Sequence, residues 1–431
     1  MGLKIVVIGG ASSYSPELFA DVTDGSTRLD IEQITLMDLN TEKLAFVGGV
    51  CQRLLDAAGS QIRLVTTPHL EEAVAGADFI LLQVRIGGLA ARVWDEKLPV
   101  EFNMVGNETT GAGGFVCALR TVPVVLEIAR AVERLAPQAW LLNMSNPAGI
   151  VTEALLKHSQ VRTIGFCNIP INTTYALADV LHVLPSQIQL DSFGLNHLSW
   201  VRRVYVEGED RLQPLIAATH SHDSALYQRG LVDRLMDLDF LQILRLIPSW
   251  YVRYFYFTEQ VLEEERHSRE SKGQRDMLAE EQLRQIYSSV GYDEQARRIL
   301  AAKGGAQYYL PVLQVMDAIV NDSGDIVVVD VRNGQALPDL PPEVYVEVPA
   351  RIYREGVEPL PIGPMPLSVR GLVQAVKAYE ELTIEAALNG DRGLAIEALM
   401  ANPLVGSYSR AKPFFDRVLE NERPYLPAFF A

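Results

Sequence analysis

The segment Gly9-Gly10-Ala11-Ser12-Ser13-Tyr14 follows an apolar run, Leu3-Lys4-Ile5-Val6-Val7-Ile8, and precedes a helical pattern. Backbone N–H groups and a helix N-terminus converge at such a turn, where they can hold a pyrophosphate. The general Gly-x-Gly-x-x-Gly pattern is broken here, with Ala11 in the second glycine position and Tyr14 in the third. Asp38, closing the second apolar run, supplies the other half of a dinucleotide site, because a carboxylate there accepts from ribose hydroxyls and repels the extra phosphate of NADP. Strand, turn and acid in that order point to NAD; the alternative is a structural turn of another α/β protein. Two later segments, Cys167-Asn168-Ile169-Pro170 and Gly194-Leu195-Asn196-His197, carry a thiol and an imidazole 30 residues apart. Such a pair can hold a divalent metal with positions left open for substrate oxygens. A buried thiol and an unrelated hydrogen-bonded imidazole are the ordinary alternative. A nicotinamide that takes a hydride from a carbinol carbon, beside a metal on the same oxygens, would stabilise the ketone and the enolate that follow.

Other segments carry two readings each. Asn146, in Asn143-Met144-Ser145-Asn146-Pro147, ends a strand, and ligands of open α/β sheets gather outside the carboxyl ends of strands; a plain Asn-Pro turn is the other reading. Arg92 follows Arg85-Ile86-Gly87-Gly88 and precedes Asp95-Glu96. Its guanidinium suits a phosphate or carboxylate, or a surface salt bridge with those acids. Tyr251 lies in the aromatic stretch Trp250 to Phe257, where packing is the usual role, and a phenol serves as a base only if a cation or metal lowers its pKa. The loop from Gly106 to Gly114, which includes Glu108, has the glycines expected where backbone approaches a ligand closely, and also those of a flexible loop.

These residues need a scaffold, and the first half of the chain provides its pattern. Strands are expected near Lys4–Ile8, Gln33–Asp38, Arg63–Thr66, Asp78–Val84, Trp140–Met144 and Arg162–Gly165, with helices at Pro16–Val22, Thr41–Ala58 and Leu119–Leu135. That alternation is the βαβ rhythm of a parallel sheet covered on both faces. After about Ile171 the rhythm changes to strands at Gln187–Gly194 and Val201–Val206, a long helical stretch Val252–Tyr287, strands at Ile326–Val331 and Val344–Val348, and a closing helical region Leu367–Leu388. With 431 residues, 48% of them hydrophobic, two intimately packed domains are expected. The net charge of −16 is spread along the chain, which argues against a nucleic acid or anionic membrane partner. The first apolar run is too short for a signal peptide core and no run reaches spanning length. Three cysteines without paired spacing suit a reducing compartment, so a cytoplasmic protein is expected.

In order, these segments resemble family 4 of the glycoside hydrolases, the NAD- and manganese-dependent glycosidases, over nearly the whole chain. The resemblance rests on Gly9 to Glu17, Arg85-x-Gly-Gly, Arg92-x-x-Asp-Glu, Glu108-Thr-Thr-Gly, Asn146-Pro147, Cys167-Asn168-Ile169-Pro170-Ile171-Asn172, Gly194 to His197, Tyr251-x-Arg-Tyr and Lys303-Gly304-Gly305. The Cys-Asn-Ile-Pro-Ile-Asn segment is similar to the 6-phospho-β-glucosidase branch. The family departs from the usual pair of catalytic carboxylates.

The resemblance implies an α/β protein in two parts, a Rossmann-like parallel-sheet domain over 1–170 and a mixed α/β domain of the lactate and malate dehydrogenase type over 171–431. The first would bind NAD through Gly9, Gly10, Ser12, Ser13, Tyr14 and Asp38; the second would carry metal, substrate and oligomer contacts in a homodimer or homotetramer. It further implies Cys167 and His197 as ligands of Mn²⁺ or another divalent metal, Tyr251 as the base at C2, and Arg92, Asn146, Asn168, Glu108 and Lys272 at the substrate. The substrate would be a phosphorylated disaccharide such as cellobiose 6-phosphate, or an aryl glucoside. A net NAD-dependent dehydrogenase of a sugar or hydroxy acid is the alternative function. Three departures stand out: Asn107 where glutamine is usual, Ser271-Lys272 where Thr-Arg is common, and Ala11 for a glycine.

Overall fold

The computed structural model describes residues 2–430 apart from 26, 290 and 306. Six strands form the parallel sheet: β1 (Leu3–Ile8), β2 (Ile31–Met37), β3 (Arg63–Thr67), β4 (Phe79–Leu82), β5 (Trp140–Asn143) and β6 (Arg162–Gly165). Their spatial order is β6-β5-β4-β1-β2-β3, every pair parallel. This is the doubly wound dinucleotide-binding order, with the strand sequence reversing between β1 and β4. β4 and β5 are buried at every residue, as central strands covered on both faces must be.

The later strands fall into two groups. β7 (Ile188–Leu195) and β8 (Leu198–Val206) form an antiparallel hairpin, and the short β9 (Glu209–Asp210) and β10 (Ile247–Pro248) pair with β8. β11 (Ile326–Arg332), β12 (Tyr345–Ile352) and β13 (Val357–Pro359) instead extend the first sheet antiparallel, β11 meeting β6 at Asp330 and Gly165. The nine-stranded sheet therefore runs through both halves of the chain, and one hydrophobic core joins them.

Two helical expectations are corrected. The helix expected from Leu119 begins at Gly111 and runs to Leu135. Its first turn sits under the loop before it: a Cβ on Gly113 would collide with the carbonyl oxygens of Asn107 and Asp95, and one on Gly114 would lie 2.7 Å from the Thr109 carbonyl oxygen. Close packing outweighs the poor helix propensity of glycine there. The stretch Val252–Tyr287 is not one helix but three, Arg253–Tyr256, Thr258–His267 and Lys272–Ser289. The chain breaks at Phe257 and turns extended at Ser268. Gly273, at the start of the third helix, then docks its amide on Glu96 at 2.6 Å. Beyond the closing helix Leu367–Asn389, two further helices, Arg392–Ala401 and Tyr408–Asn421, complete the packing.

Candidate active site

The carboxyl ends of β1, β4, β5 and β6 open into one cleft of about 440 Å³. Gly9, Ser12, Ser13, Tyr14, Asp38, Arg92, Glu108, Asn146, Cys167, Asn168, His197, Tyr251 and Lys272 all line it. Segments separated by up to 263 positions thus converge at the point where a doubly wound sheet binds its ligand. Gly10 does not line the cleft. A Cβ there would stand 2.8 Å from the Leu36 Cβ and 2.9 Å from its Cα, so Gly10 lets the turn lie flat against β2.

The turn is held from both sides. Gly9, at φ +87°, takes a backbone conformation suited to glycine, and a side chain there would strike β4's continuation at Gln83. Asp38 accepts from the Ala11 amide at 3.2 Å and from the Asn40 amide at 2.9 Å, so the acid expected to meet ribose also ties down the residue that replaces a glycine. Ser13 donates to Glu280 at 2.5 Å and accepts from Lys303 at 3.0 Å, while Tyr14 stacks on Tyr308 with centroids 4.6 Å apart.

Cys167 lies beyond β6, half-buried, and His197 sits in the two-residue turn of the β7–β8 hairpin at φ +63°. Burial lowers the His197 pKa to about 3 despite the opposing charge of Glu108. The imidazole is therefore neutral at physiological pH, the form that binds metals. Its Nδ1 meets the Thr109 hydroxyl at 2.9 Å, leaving Nε2 for a ligand. Burial also raises the Cys167 thiol well above its usual value, with Glu347 adding to the rise; a divalent cation would reverse that and hold the thiolate. Among the described residues no third His, Cys, Asp or Glu completes a metal cluster with them. A soft thiolate, one neutral imidazole and open positions fit a cation that shares its coordination with substrate.

Tyr251 stacks flat on His197, centroids 3.7 Å apart and planes within 3°. Burial pushes its phenol upward, Tyr254 and Cys167 adding to the rise and Arg92 opposing it. Without a cation nearby it is a protonated phenol. A phenol acts as a base only where a bound cation lowers its pKa.

The basic wall is more crowded than its sequence suggested. Arg92, 8% exposed, already meets Glu96 at 2.9 Å, Asp276 at 2.7 Å and Glu108 at 3.0 Å. Arg85 pairs with the same Glu108. Burial favours protonation of Glu108, yet the two guanidiniums hold its carboxyl below the usual range, so it keeps no proton to donate. Lys272 bridges Asp276 at 3.1 Å and the Lys303 carbonyl at 2.7 Å. Asn168 donates to the Gly304 carbonyl at 2.7 Å. Asp276, Glu280, Lys303 and Tyr308 thus belong to the cleft although sequence reasoning gave them no role. Their signal was present: Lys272, Asp276 and Glu280 recur every four residues on one helix face, a pattern that ordinarily marks a solvated surface.

Fold and cleft together define a doubly wound α/β protein whose strand ends gather a glycine turn, a thiol and a neutral imidazole, and a charged wall. Two family models, family 4 glycosyl hydrolase and its C-terminal domain, match residues 4–183 and 192–405. The chain belongs to that family. It is 37% identical over 435 residues to a probable 6-phospho-beta-glucosidase of Bacillus subtilis (strain 168), covering 100% of this chain and 98% of the relative. It superposes with a TM-score of 0.90 on the 6-phospho-beta glucosidase of Thermotoga maritima solved with NAD and glucose-6-phosphate, at 30% identity and covering 98% of this chain and 99% of that one. A lactate dehydrogenase from a deep-sea metagenome matches with a TM-score of 0.54 at 13% identity, covering 90% of this chain and 99% of that one, and shows the fold alone.

Proposed function

We propose that this chain hydrolyses 6-phospho-β-glucosides, such as cellobiose 6-phosphate or a phosphorylated aryl glucoside, to glucose 6-phosphate and the aglycone. The observation that carries this reading is the convergence of the dinucleotide turn, Cys167 with His197, Tyr251 and the Arg92–Lys272 wall on one cleft. When bound, NAD would take up and return the C3 hydride of the sugar, while Mn²⁺ or another divalent cation would polarise the neighbouring oxygens and acidify the C2 proton.

The chain's own groups do the rest. Gly9, Ser12, Ser13 and Tyr14 seat the dinucleotide, and Asp38 selects NAD over NADP. Cys167 and His197 offer sulfur and Nε2. Tyr251, fixed by its stack on His197, removes the C2 proton so that the C1 oxygen leaves by elimination. Water then adds its hydroxyl at C1 and a proton returns to C2, giving the free sugar phosphate once the C3 hydride is restored. Glu108 is ionised and Asn168 is an amide, so water protonates the departing oxygen. Arg92 and Lys272 receive the 6-phosphate, which competes with Asp276 for them, while Asn146, Asn168 and Glu108 bear on the sugar hydroxyls.

The test is hydrolysis of aryl β-glucosides with and without a 6-phosphate, each with and without NAD and Mn²⁺. Turnover is expected only for the phosphorylated compound with both cofactors, and the NADH absorbance band should not grow with product. Accumulating NADH would favour a net dehydrogenase. In heavy water the glucose 6-phosphate formed should carry deuterium at C2, and Tyr251→Phe should lose that label with most of the rate. A fully protonated C2 would reject the elimination.

We place the NAD site in 1–170 and the assembly surfaces in 171–431, with the metal shared between the two parts through Cys167 and His197. Among the described residues no helix is long and apolar enough to cross a membrane. A cytoplasmic homodimer or homotetramer is consistent with three free thiols and with exposed Leu184, Tyr175 and Ile326 on the second part; light scattering measures the subunit number.

A further inference from the structure

A positioning device lies behind the metal corner, in residues that the proposed reaction does not use. The hairpin turn Asn196-His197 closes tightly: Gly194, at φ +137°, lies against the opposite strand, where a Cβ would be 2.7 Å from the Ser199 Cα. Asn196 is 8% exposed and is anchored twice to β12. Its backbone N–H donates to the Tyr345 hydroxyl at 3.2 Å, and its side-chain amide donates to the Glu347 carboxylate at 3.2 Å. The Tyr345 hydroxyl in turn donates to the Glu380 carboxylate at 3.0 Å, and Glu380 is paired with the buried Lys377 at 2.8 Å.

The same strand pair reaches the other ligand. Glu347 faces Asp330 across β11 and β12, and Asp330 faces Gly165, two residues before Cys167. A side chain on Gly165 would come within 2.8 Å of the Asp330 Cβ, so the glycine makes room for the acid. Glu347 is 2% exposed and flanked in sequence by fully buried Val346 and Val348. A carboxyl in an apolar strand is costly, and an aliphatic side chain would serve the core better if packing were its only role.

We infer that Glu347, acting through Asn196, is a positioning residue for the divalent cation, holding the hairpin turn so that the His197 imidazole faces the Cys167 sulfur. Partners of this kind fix ligand orientation and affinity in metal sites generally. The inference rests on Cys167 and His197 being the ligands.

The experiment measures Mn²⁺ affinity from the free-ion electron paramagnetic resonance signal, with the thiolate charge-transfer band of the cobalt(II) protein and NAD affinity alongside. Glu347→Met, which keeps bulk but removes the acceptor, should weaken Mn²⁺ binding by roughly 10–100-fold with NAD affinity unchanged. Glu347→Gln, which keeps an acceptor oxygen for Asn196, should restore binding to within a few-fold of the wild type. Should Glu347→Met fail to fold, Tyr345→Phe removes the backbone anchor and is expected to weaken Mn²⁺ in the same sense. Wild-type Mn²⁺ affinity in whichever of these two variants folds, or equal losses in the Met and Gln variants, would overturn the inference alone. A wild-type protein with no Mn²⁺ binding and no cobalt thiolate band would overturn the ligand assignment as well.

Discussion

Arg92 is the common counter-ion of three acids and, in the proposed function, a receiver of the 6-phosphate; a single substitution separates the two. Its guanidinium is shared by Glu96, Glu108 and Asp276, so removing it leaves three carboxylates without their common counter-ion. Breaking a buried pair from one side costs about 3–5 kcal/mol. Arg92→Ala is therefore expected to lower Tm whatever the substrate. Its effect on phosphate shows elsewhere, in selectivity. A charge-assisted contact to the 6-phosphate is worth about 2–3 kcal/mol, so kcat/KM for phosphorylated glucosides should fall on the order of 30- to 150-fold relative to any residual rate on plain glucosides. Equal losses for both classes would make Arg92 the hub of an acid cluster and move phosphate recognition to Lys272. The carboxylates around Arg92 explain why the sequence could not settle this: Glu96 is near in the chain, but Asp276 comes from a helix 184 positions away.

At the scale of elements, what was legible followed locality. β1, the glycine turn and Asp38 lie within 38 residues, so their arrangement at one end of the sheet could be read in order. The partners that hold the turn, Glu280 and Lys303, come from far along the chain, and although Glu280 recurs on one helix face with Lys272 and Asp276 and Lys303 opens a Lys-Gly-Gly segment, nothing local ties either to the turn. Glu347 and Asp330 did leave one, a lone acid within each β-branched run, which reads as a defect until β11 and β12 are paired. The long helix expected over Val252–Tyr287 failed because the charged pattern gave no mark for the turn at Ser268, which is set by Gly273 docking on Glu96. The turn itself offers a test. Gly10→Ala would press a methyl group against the Leu36 backbone, and overpacking of this kind costs about 1–3 kcal/mol. Calorimetry should show a lower Tm and weaker NAD binding for Gly10→Ala, whereas Ala11→Gly should leave NAD binding close to the wild type. If Gly10→Ala binds NAD normally and keeps its Tm, the turn is not pinned by its contact with β2.

For the molecule as a whole, the continuous sheet has a consequence for folding. A chain that divides at about residue 170 by sequence could unfold in two steps, but the structure ties the parts together at several depths. β11 pairs with β6, Lys377 of the closing helix reaches Glu153 at 2.6 Å, and the Tyr379 hydroxyl donates to the Gly111 carbonyl at 3.3 Å. Tyr345 fills the space where a Cβ on Gly149 would be. Separating the parts would leave Glu153 buried without Lys377 and uncover the edge of β6, both of which are costly. The full chain is therefore expected to melt in one cooperative calorimetric transition, its van't Hoff and calorimetric enthalpies agreeing if the transition is reversible. NAD should move that single transition upward as a whole, because a ligand that binds only the folded state stabilises everything that unfolds with its site. A fragment of residues 1–170 should fail to show a cooperative transition of its own. Two resolved transitions in the full chain, only one of them raised by NAD, would mean that the two parts fold independently and that the shared sheet contributes little to holding Cys167 opposite His197.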